Sequence, residues 1–339
     1  MDERTHSWIA IRAIALLEDK QEAPNLVKLL KPAMKKASVG AWIPDQTDAK
    51  RGDAGSKTEN HVLKIEPYKF AAQRDRFTLC KNNLLELIGM YRTIAQYLQQ
   101  DQTLDDKWWG SPYKADIPKA GQHLPNRVMA LSTMLKDLLL MGNQRIDQLT
   151  SQNGKYKQFM KPEVCTKEEA AAMYFFTLSH FVADICMPCH CDARLLSGYG
   201  AGLHKELEAH WSKIVGTGFE KKNLAEKGTN NDKLLQQART IDAKFNLQFA
   251  QGEIPSLHPE QDEWSEAMYL CRASFAIASI IAPYTIYNYD NNQPHAPFEA
   301  VFGNGNEPLL AEMDAVLIHD AILNTAIFWK HLWDEISKN

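Results

Sequence analysis

Several long stretches of the chain carry apolar residues at three- and four-residue steps, which is the periodicity of amphipathic or buried helices. We predict helices from His6 to about Glu18, around the apolar run Ala170–Ala183, and at Asn83–Leu98, Arg127–Leu149, Gln261–Ile281 and Leu309–Ile336. No series of alternating segments separated by hairpin turns indicates a sheet. The pattern therefore predicts an all-α chain built as a multi-helix bundle.

Local signals predict where some of these helices begin and end. Thr166 followed by Glu169 is the pattern of a capping box, so the helix that contains Ala170–Ala183 should begin there. Pro188 should end the same helix at about Met187, because proline cannot continue a helix without losing a hydrogen bond. The chain then turns just before His190.

Two other segments are predicted to be irregular. Residues 40–44, Gly-Ala-Trp-Ile-Pro, should form a break after the first helices, and Asp101–Pro125 combines glycines and prolines with aromatic residues. We expect the aromatic residues of the second segment to pack beneath a loop, and contact with a lipid or a nucleic base is the alternative. These residues are Trp108, Trp109 and Tyr113.

Composition and charge narrow the choice of protein class. With 339 residues, 45% of them apolar, the chain can bury a large core in one large domain or two. Its net charge of −4 provides no basic surface that would attract a polyphosphate. The sequence has no run of about 18 apolar residues and opens on Met-Asp-Glu-Arg rather than on a signal peptide, so we expect the chain as written to be soluble.

Five potential metal ligands lie in one short stretch of the sequence. His180 and Asp184 are four residues apart on a predicted helix, so their side chains share one face and could bind one ion. His204 and Glu208 repeat this step after a loop that contains three glycines, and His190 lies between the two pairs. A single pair of this kind is more often a hydrogen-bonded pair in a core, but the repetition indicates a second ion.

The N-terminal part of the chain supplies further ligands of the same types. His6 lies at the start of the first predicted helix, Asp45 follows the predicted break, and His61 follows a polar loop. With these three residues the sequence offers eight potential ligand side chains.

The order of these residues resembles the signature of the zinc-dependent phospholipase C and S1/P1 nuclease superfamily: His6, Asp45, His61, His180 with Asp184, His190, and His204 with Glu208. The six-residue step from Asp184 to His190, the fourteen-residue step to His204 and the final Glu are those of the bacterial phospholipase C. The nucleases usually end in Asp after a longer step. The resemblance is therefore closer to the phospholipase, and it implies one all-α domain over residues 1–339.

The resemblance also implies a trinuclear zinc site with a defined division of ligands. Asp45, His61, His180 and Asp184 would hold one ion, and Asp184 would bridge to a second that is completed by His6 and by the amino nitrogen and carbonyl oxygen of Met1. Met1 occupies the position of the family's N-terminal Trp, either as its replacement or as an expression start after a signal peptide. The third ion would be held by His190, His204 and Glu208. The separation of His61 and His180 exceeds that of the relatives, which predicts an enlarged insertion within about residues 85–165.

The function implied by the resemblance is hydrolysis of a phosphate ester by a metal-activated water, with Asp45 as general base. A phospholipase C-like phosphodiesterase acting on phospholipid, with transient contact to a membrane surface, is favoured by the ligand spacing. The alternative is a single-strand nuclease or 3′-nucleotidase of the S1/P1 type, and a non-enzymatic zinc-stabilised binding protein comes third. The choline pocket of the phospholipase is not preserved at Gln46 and Thr58, and the base-stacking Phe of the nucleases is replaced by Val62.

The resemblance further implies a secreted or periplasmic protein that needs no organic cofactor and no obligate protein partner. The segment Cys186-Met-Pro-Cys189-His-Cys191 resembles a metal knuckle, but its closure needs a second pair, and Cys80, Cys165 and Cys271 are isolated in the sequence. We therefore predict that the cysteines pack in the core or form a disulfide, which would fit an oxidising compartment. Glu206 and His210 are near enough to the ligands to be their outer partners.

Overall fold

The described part of the protein is helical. The computed structural model describes residues 1–45, 61, 63, 123–140, 166–191, 202–225, 230–257, 262–281, 298–303, 305 and 307–338. Most of these residues are in helices and none is in a strand, which confirms the prediction of an all-α chain for them. None of their helices is long and apolar enough to cross a membrane. The predicted helix Asn83–Leu98 and most of the predicted insertion lie outside these residues.

The α-helices are α1 (Glu3–Asp19), α2 (Pro24–Leu30), α3 (Ala37–Trp42), α4 (Leu124–Leu140), α5 (Lys167–Ile185), α6 (Pro188–Cys191), α7 (Leu203–Val215), α8 (Lys221–Leu224), α9 (Asn231–Thr240), α10 (Glu263–Ile281), α11 (Phe298–Phe302) and α12 (Glu307–Lys338). Short 3-10 helices occupy Lys31–Lys36, Ile43–Asp45, Thr217–Phe219 and Asp242–Lys244. The predicted helices that correspond to α1, α5, α10 and α12 agree with these bounds to within three residues.

Helix α5 lies at the centre of the described core. It packs against α1, α3, α4, α10 and α12, and it is buried over nearly its whole length from Ala170 onward. Thr166 and Glu169 form the predicted capping box at its start. The helix ends at Ile185, slightly before the predicted Met187, and Pro188 opens α6 instead, where its missing N–H is not needed. The last turn of α5 is therefore deep inside the protein.

Helix α1 is the second buried helix, with every residue from Thr5 to Leu17 buried. Asp2 caps it by accepting a hydrogen bond from the Thr5 amide at 3.0 Å. Its one buried charge, on Arg12, is neutralised by Asp242 through bonds of 2.7 and 2.9 Å. The first turn of α1 is thus held against the core, close to the last turn of α5.

The predicted break at residues 40–44 is wrong, because Gly40 lies inside α3 and the chain continues into the 3-10 helix Ile43–Asp45. A Cβ atom at Gly40 would lie 2.5 Å from Phe176 Cβ and 3.1 Å from the Met173 carbonyl oxygen. Glycine is therefore required here for the close approach of α3 to α5, and packing overrides its low helix propensity.

The prediction that residues 101–125 are irregular is wrong at the end of this segment, because α4 begins at Leu124. Pro125 lies in the first turn of the helix, where proline is well tolerated. Helix α4 buries Leu131, Leu135 and Leu138 and packs against α5 and α10. A part of the predicted insertion therefore contributes to the core, and residues 141–149 of the predicted helix lie outside the described residues.

Replacement of Gly40 by alanine should destabilise the protein. Overpacking of a tight contact costs about 1–3 kcal/mol, which exceeds the gain of about 1 kcal/mol in helix propensity. Gly218→Ala is the matched control, because its added Cβ would meet only the flexible end of Gln237. Urea unfolding should show a lower free energy of unfolding for Gly40→Ala alone, and equal stability of the two variants would contradict the packing argument.

Candidate metal centre

All nine residues predicted to bind metal converge at one place, where the start of α1 and the end of α5 meet α6, α7 and the segment after α3. Among the described residues, three groups of His and carboxylate have their ligand atoms within 4.8 Å of one another in this region. The groups are His6 with Asp45 and His180; His61 with His180 and Asp184; and His190 with His204 and Glu208.

One set of four ligand atoms has the size of a tetrahedral site. Asp184 Oδ2 lies 2.9 Å from His61 Nδ1 and 3.0 Å from His180 Nε2. Asp45 Oδ1 lies 3.7 and 3.6 Å from the same two nitrogens. Tetrahedral zinc with bonds of about 2.0–2.1 Å separates its ligand atoms by about 3.3 Å. These four side chains therefore surround a volume that suits one ion.

The second oxygen of Asp184 faces a different set of groups. Asp184 Oδ1 lies 3.5 Å from His6 Nε2, 3.6 Å from the Met1 amino nitrogen and 3.5 Å from His190 Nδ1. Because each oxygen of this carboxylate is directed to a separate cluster of nitrogens, Asp184 has the geometry of a ligand that bridges two cations.

The remaining group is built largely by α7. His204 and Glu208 lie on one face of this helix, with His204 Nε2 2.9 Å from Glu208 Oε1 and 2.9 Å from His190 Nε2. His204 and Glu208 retain 23% and 26% of their side-chain exposure, whereas Asp184 retains only 1%. This side of the centre is therefore open to solvent.

The amino group of Met1 is part of the centre, although it lies closer to Glu208 (2.7 Å) than to Asp184. Burial lowers the pKa of this amine, but the charges of Glu208, Asp184 and Asp45 outweigh burial and raise the pKa to about 11. The amine is thus a cation among carboxylates at neutral pH. A metal ion that binds the nitrogen must displace a proton, which couples metal binding to pH.

Four of the potential ligands favour the protonation states that metal binding requires, whereas His61 does not: burial lowers its pKa, but the hydrogen bond and the charge of Asp184 outweigh burial and raise it. Burial holds the pKa of His6 well below its usual range and lowers that of His190 to about 4, so both rings are neutral. Burial alone would raise the pKa of Asp184 and Glu208. The nearby imidazoles and the Met1 amine outweigh burial and keep both pKa values well below their usual range.

A backbone carbonyl orients one of the rings. His180 Nδ1 lies 2.7 Å from the Ala41 carbonyl oxygen, to which it donates, so Nε2 carries the lone pair that faces the cluster. Ala41 reaches this position because Gly40 lets α3 approach α5. Sequence reasoning missed this contact, since a carbonyl at the end of a distant helix has no signature in the chain.

Several buried polar atoms of the centre have no hydrogen-bond partner in the described part of the protein. They include both ring nitrogens of His6, Nε2 of His61, Nδ1 of His190 and Oδ1 of Asp184. Such atoms usually cost about 1–3 kcal/mol each and are rare in folded proteins. Their concentration among neutral imidazoles and ionised carboxylates fits a metal site, and this combination of ligands suits zinc.

The cysteines lie near the centre but outside its ligand groups. Cys186, Cys189, Cys191 and Cys271 are buried and form no disulfide with one another, and the Cys271 thiol contacts that of Cys191 despite their separation in sequence. Burial raises the pKa of Cys186 and Cys271 well above the usual range, which keeps both as thiols. The prediction of core packing agrees with these positions, and Cys80 and Cys165 lie outside the described residues.

Another group with metal-ligand chemistry, Glu263 with His331 and Glu335, lies apart from the centre. The Lys136 ammonium is 2.5 Å from a carboxylate oxygen of both Glu263 and Glu335, so both carboxylates already share a cationic partner. His210, expected to support a ligand, instead lies 2.7 Å from Asp314 Oδ2 on α12. The Glu263 group and the pair of His210 and Asp314 therefore each link neighbouring helices.

No protein-family model, curated protein or solved structure matches this chain. Support for the metal centre comes from the order of its ligands along the chain and from their convergence in space. Gln46, Thr58 and Val62, which bear on substrate choice, lie outside the described residues.

Acidification should destabilise the metal-free protein partly through His190. Its pKa is 6.5 in an unfolded chain and about 4 in the fold. Above pH 6.5 the ring is neutral in both states and costs no stability, whereas below pH 6.5 the unfolded chain binds the proton more readily than the fold does. About 3 kcal/mol of stability should be lost as the pH falls from 6.5 toward 4. With chelator present, the free energy of unfolding should therefore depend more steeply on pH for the wild type than for His190→Gln. Parallel profiles would show that the pKa of His190 is not lowered by the fold.

Proposed function

We propose that this chain is a zinc-dependent phosphodiesterase that hydrolyses phospholipid in the manner of a phospholipase C. The observation that carries the proposal is the bridging geometry of Asp184, whose two oxygens face separate groups of nitrogen ligands. Paired metal ions that share a carboxylate are typical of enzymes that hydrolyse phosphate esters. The order and spacing of the ligands in the sequence support the same reaction.

Three ions would be held by nine residues. One ion fits Asp45, His61, His180 and Asp184, and the next fits Asp184, His6 and the amino nitrogen and carbonyl oxygen of Met1. The third fits His190, His204 and Glu208, with the Met1 amine nearby. When bound, zinc supplies Lewis acidity that makes water nucleophilic at about pH 7 and stabilises negative charge on phosphate oxygens.

Asp45 is suited to remove a proton from the attacking water. Its carboxylate retains 32% of its side-chain exposure, so it lies at the open side of the centre. A carboxylate at this position can accept a proton from a nearby water. Asp184 and the imidazoles around it are sealed from solvent and serve as ligands alone.

Charge favours a phosphate substrate at this site. The centre contains the carboxylates Asp45, Asp184 and Glu208, whose charges do not balance three divalent ions, so the loaded site would be positive. The chain as a whole carries a net charge of −4, which disfavours a long polyanion. A phospholipid head group presents one phosphodiester and avoids this repulsion.

The substrate class can be tested by offering the zinc-loaded protein a short-chain phosphatidylcholine and single-stranded RNA or DNA at matched concentrations. We expect release of diglyceride without release of nucleotides. Mononucleotides alone would assign the nuclease activity instead. If the protein releases neither product but hydrolyses a generic phosphodiester, the proposed reaction is correct and the proposed substrate class is wrong.

Zinc content should separate the ligands by role. Elemental analysis of the wild type should give about three zinc ions per chain. Asp184→Asn keeps the shape of the side chain but removes the charge shared by two ions, so about two zinc ions and nearly all activity should be lost. Glu208→Gln should weaken one ion and be partly rescued by added zinc.

Asp314→Asn is the matched control for these variants. Asp314 is a buried carboxylate on α12 that contacts His210 and Trp211 of α7 and lies outside the predicted ligand groups. This control should keep the full zinc content. If Asp184→Asn also kept it and turned over substrate normally, Asp184 would not bridge two ions.

Asp45→Asn should lower the rate more than it lowers zinc content. Removal of a positioned general base typically reduces the rate by about 10²–10⁴-fold. Asp19→Asn is the control, since Asp19 has similar exposure but pairs with Arg239 on the surface. Steady-state kinetics with zinc content measured in parallel would distinguish a base from a simple ligand, for which rate and zinc content fall together.

A further inference from the structure

One carboxylate fastens the start of α1 to α7. Asp2 Oδ1 accepts hydrogen bonds from the Thr5 amide and the Thr5 hydroxyl, both at 3.0 Å. Asp2 Oδ2 accepts from the Ser212 hydroxyl on α7. One oxygen of Asp2 therefore caps its own helix, while the other joins that helix to the one that carries two of the metal ligands.

The position of Ser212 on α7 connects this contact to the metal centre. His204, Glu208 and Ser212 follow one another at four-residue steps, so they share one face of the helix. Ser212 is buried beneath the contact with Asp2. The same helical stripe thus presents two ligands to the centre and a hydroxyl to the residue that follows Met1.

We propose that Asp2 and Ser212 position the α-amine of Met1 and thereby determine the affinity of the ion that Met1 would share with His6 and Asp184. The inference rests on the proposed zinc centre. Chain ends are usually poorly ordered unless they are tied down, yet the Met1 amine lies within 2.7 Å of Glu208 and 3.6 Å of Asp184. The hydrogen bonds of the Asp2 side chain to Thr5 and Ser212, here called the Asp2 clamp, act on the residue next to the amine, and through Ser212 they join it to α7. The Asp2 carbonyl accepts only from the His6 amide of its own helix, at 3.1 Å.

Other contacts would hold α1 in place if the clamp were removed. The Lys221 amide donates to Glu3, and Arg4 pairs with Glu220 at 2.6 Å. Trp8 donates from its indole nitrogen to the Ala238 carbonyl at 3.0 Å. Loss of the Ser212 hydroxyl should therefore free the amine without undocking the helix.

Ser212→Ala tests the proposal, with Ser7→Ala as the matched control. Ser7 is also a buried serine, but its hydroxyl donates to Glu3 of its own helix at 2.6 Å and does not reach α7. Zinc titration against a competing chelator should show one ion bound about 10–100-fold more weakly in Ser212→Ala, as is typical when an outer partner is removed. The other ions, and all ions of Ser7→Ala, should bind as in the wild type.

A second measurement needs no metal. In protein stripped with chelator, an amine-acylating reagent should label the Met1 α-amine faster in Ser212→Ala than in the wild type or Ser7→Ala, as mapped by peptide mass spectrometry. Asp2→Asn should behave like the wild type, because an asparagine oxygen can cap α1 while its amide donates to the serine hydroxyl.

Equal labelling and equal zinc affinity in Ser212→Ala and Ser7→Ala would overturn the proposal, as would a weakening of all ions to the same degree. A wild-type protein that binds no zinc would instead overturn the proposed function. The labelling rates would still decide whether the clamp positions the amine.

Discussion

The buried charge of Asp184 is the constraint around which the rest of the centre is arranged. This carboxylate is 1% exposed and lies in the last turn of α5, where the negative end of the helix dipole opposes it. A buried carboxylate in such a position requires nearby positive charge or strong hydrogen bonds. His6 on α1, His190 on α6 and the Met1 amine just before α1 each bring a nitrogen to it, and metal ions would complete the compensation.

One side of the centre is buried, and the other side is accessible to solvent. His6 and His180 have no exposed side-chain surface, while Asp45, His204 and Glu208 remain partly accessible. The sealed side lowers the effective dielectric constant, which strengthens the ligand contacts, and burial lowers the pKa of His6 so that its ring is neutral. The open side allows a substrate to reach the residues that are proposed to act on it. The centre therefore combines buried ligands on one side with an opening for substrate on the other.

The local parts of this centre are predictable from sequence, whereas the contacts between helices are not. The His and acid pairs of α5 and α7 follow from the four-residue step of a helix. Only the ligand order of a known superfamily predicts that Met1 belongs to the centre. Gly40 predicts a break by its low propensity, yet its close contact with α5 has no local signal. Ser212 continues the four-residue series of α7, which could have identified it, but its partner Asp2 is distant in sequence.

In the proposed centre, metal ions are bound by nitrogen and oxygen ligands on both sides of Asp184. Anomalous diffraction at the zinc absorption edge from crystals grown without chelator would locate these ions. We expect two peaks about 3.5–4 Å apart that flank Asp184, and a third beside His190, His204 and Glu208. A single peak, or zinc bound by the sulfur of Cys186, Cys189 or Cys191 at about 2.3 Å, would contradict the proposed centre.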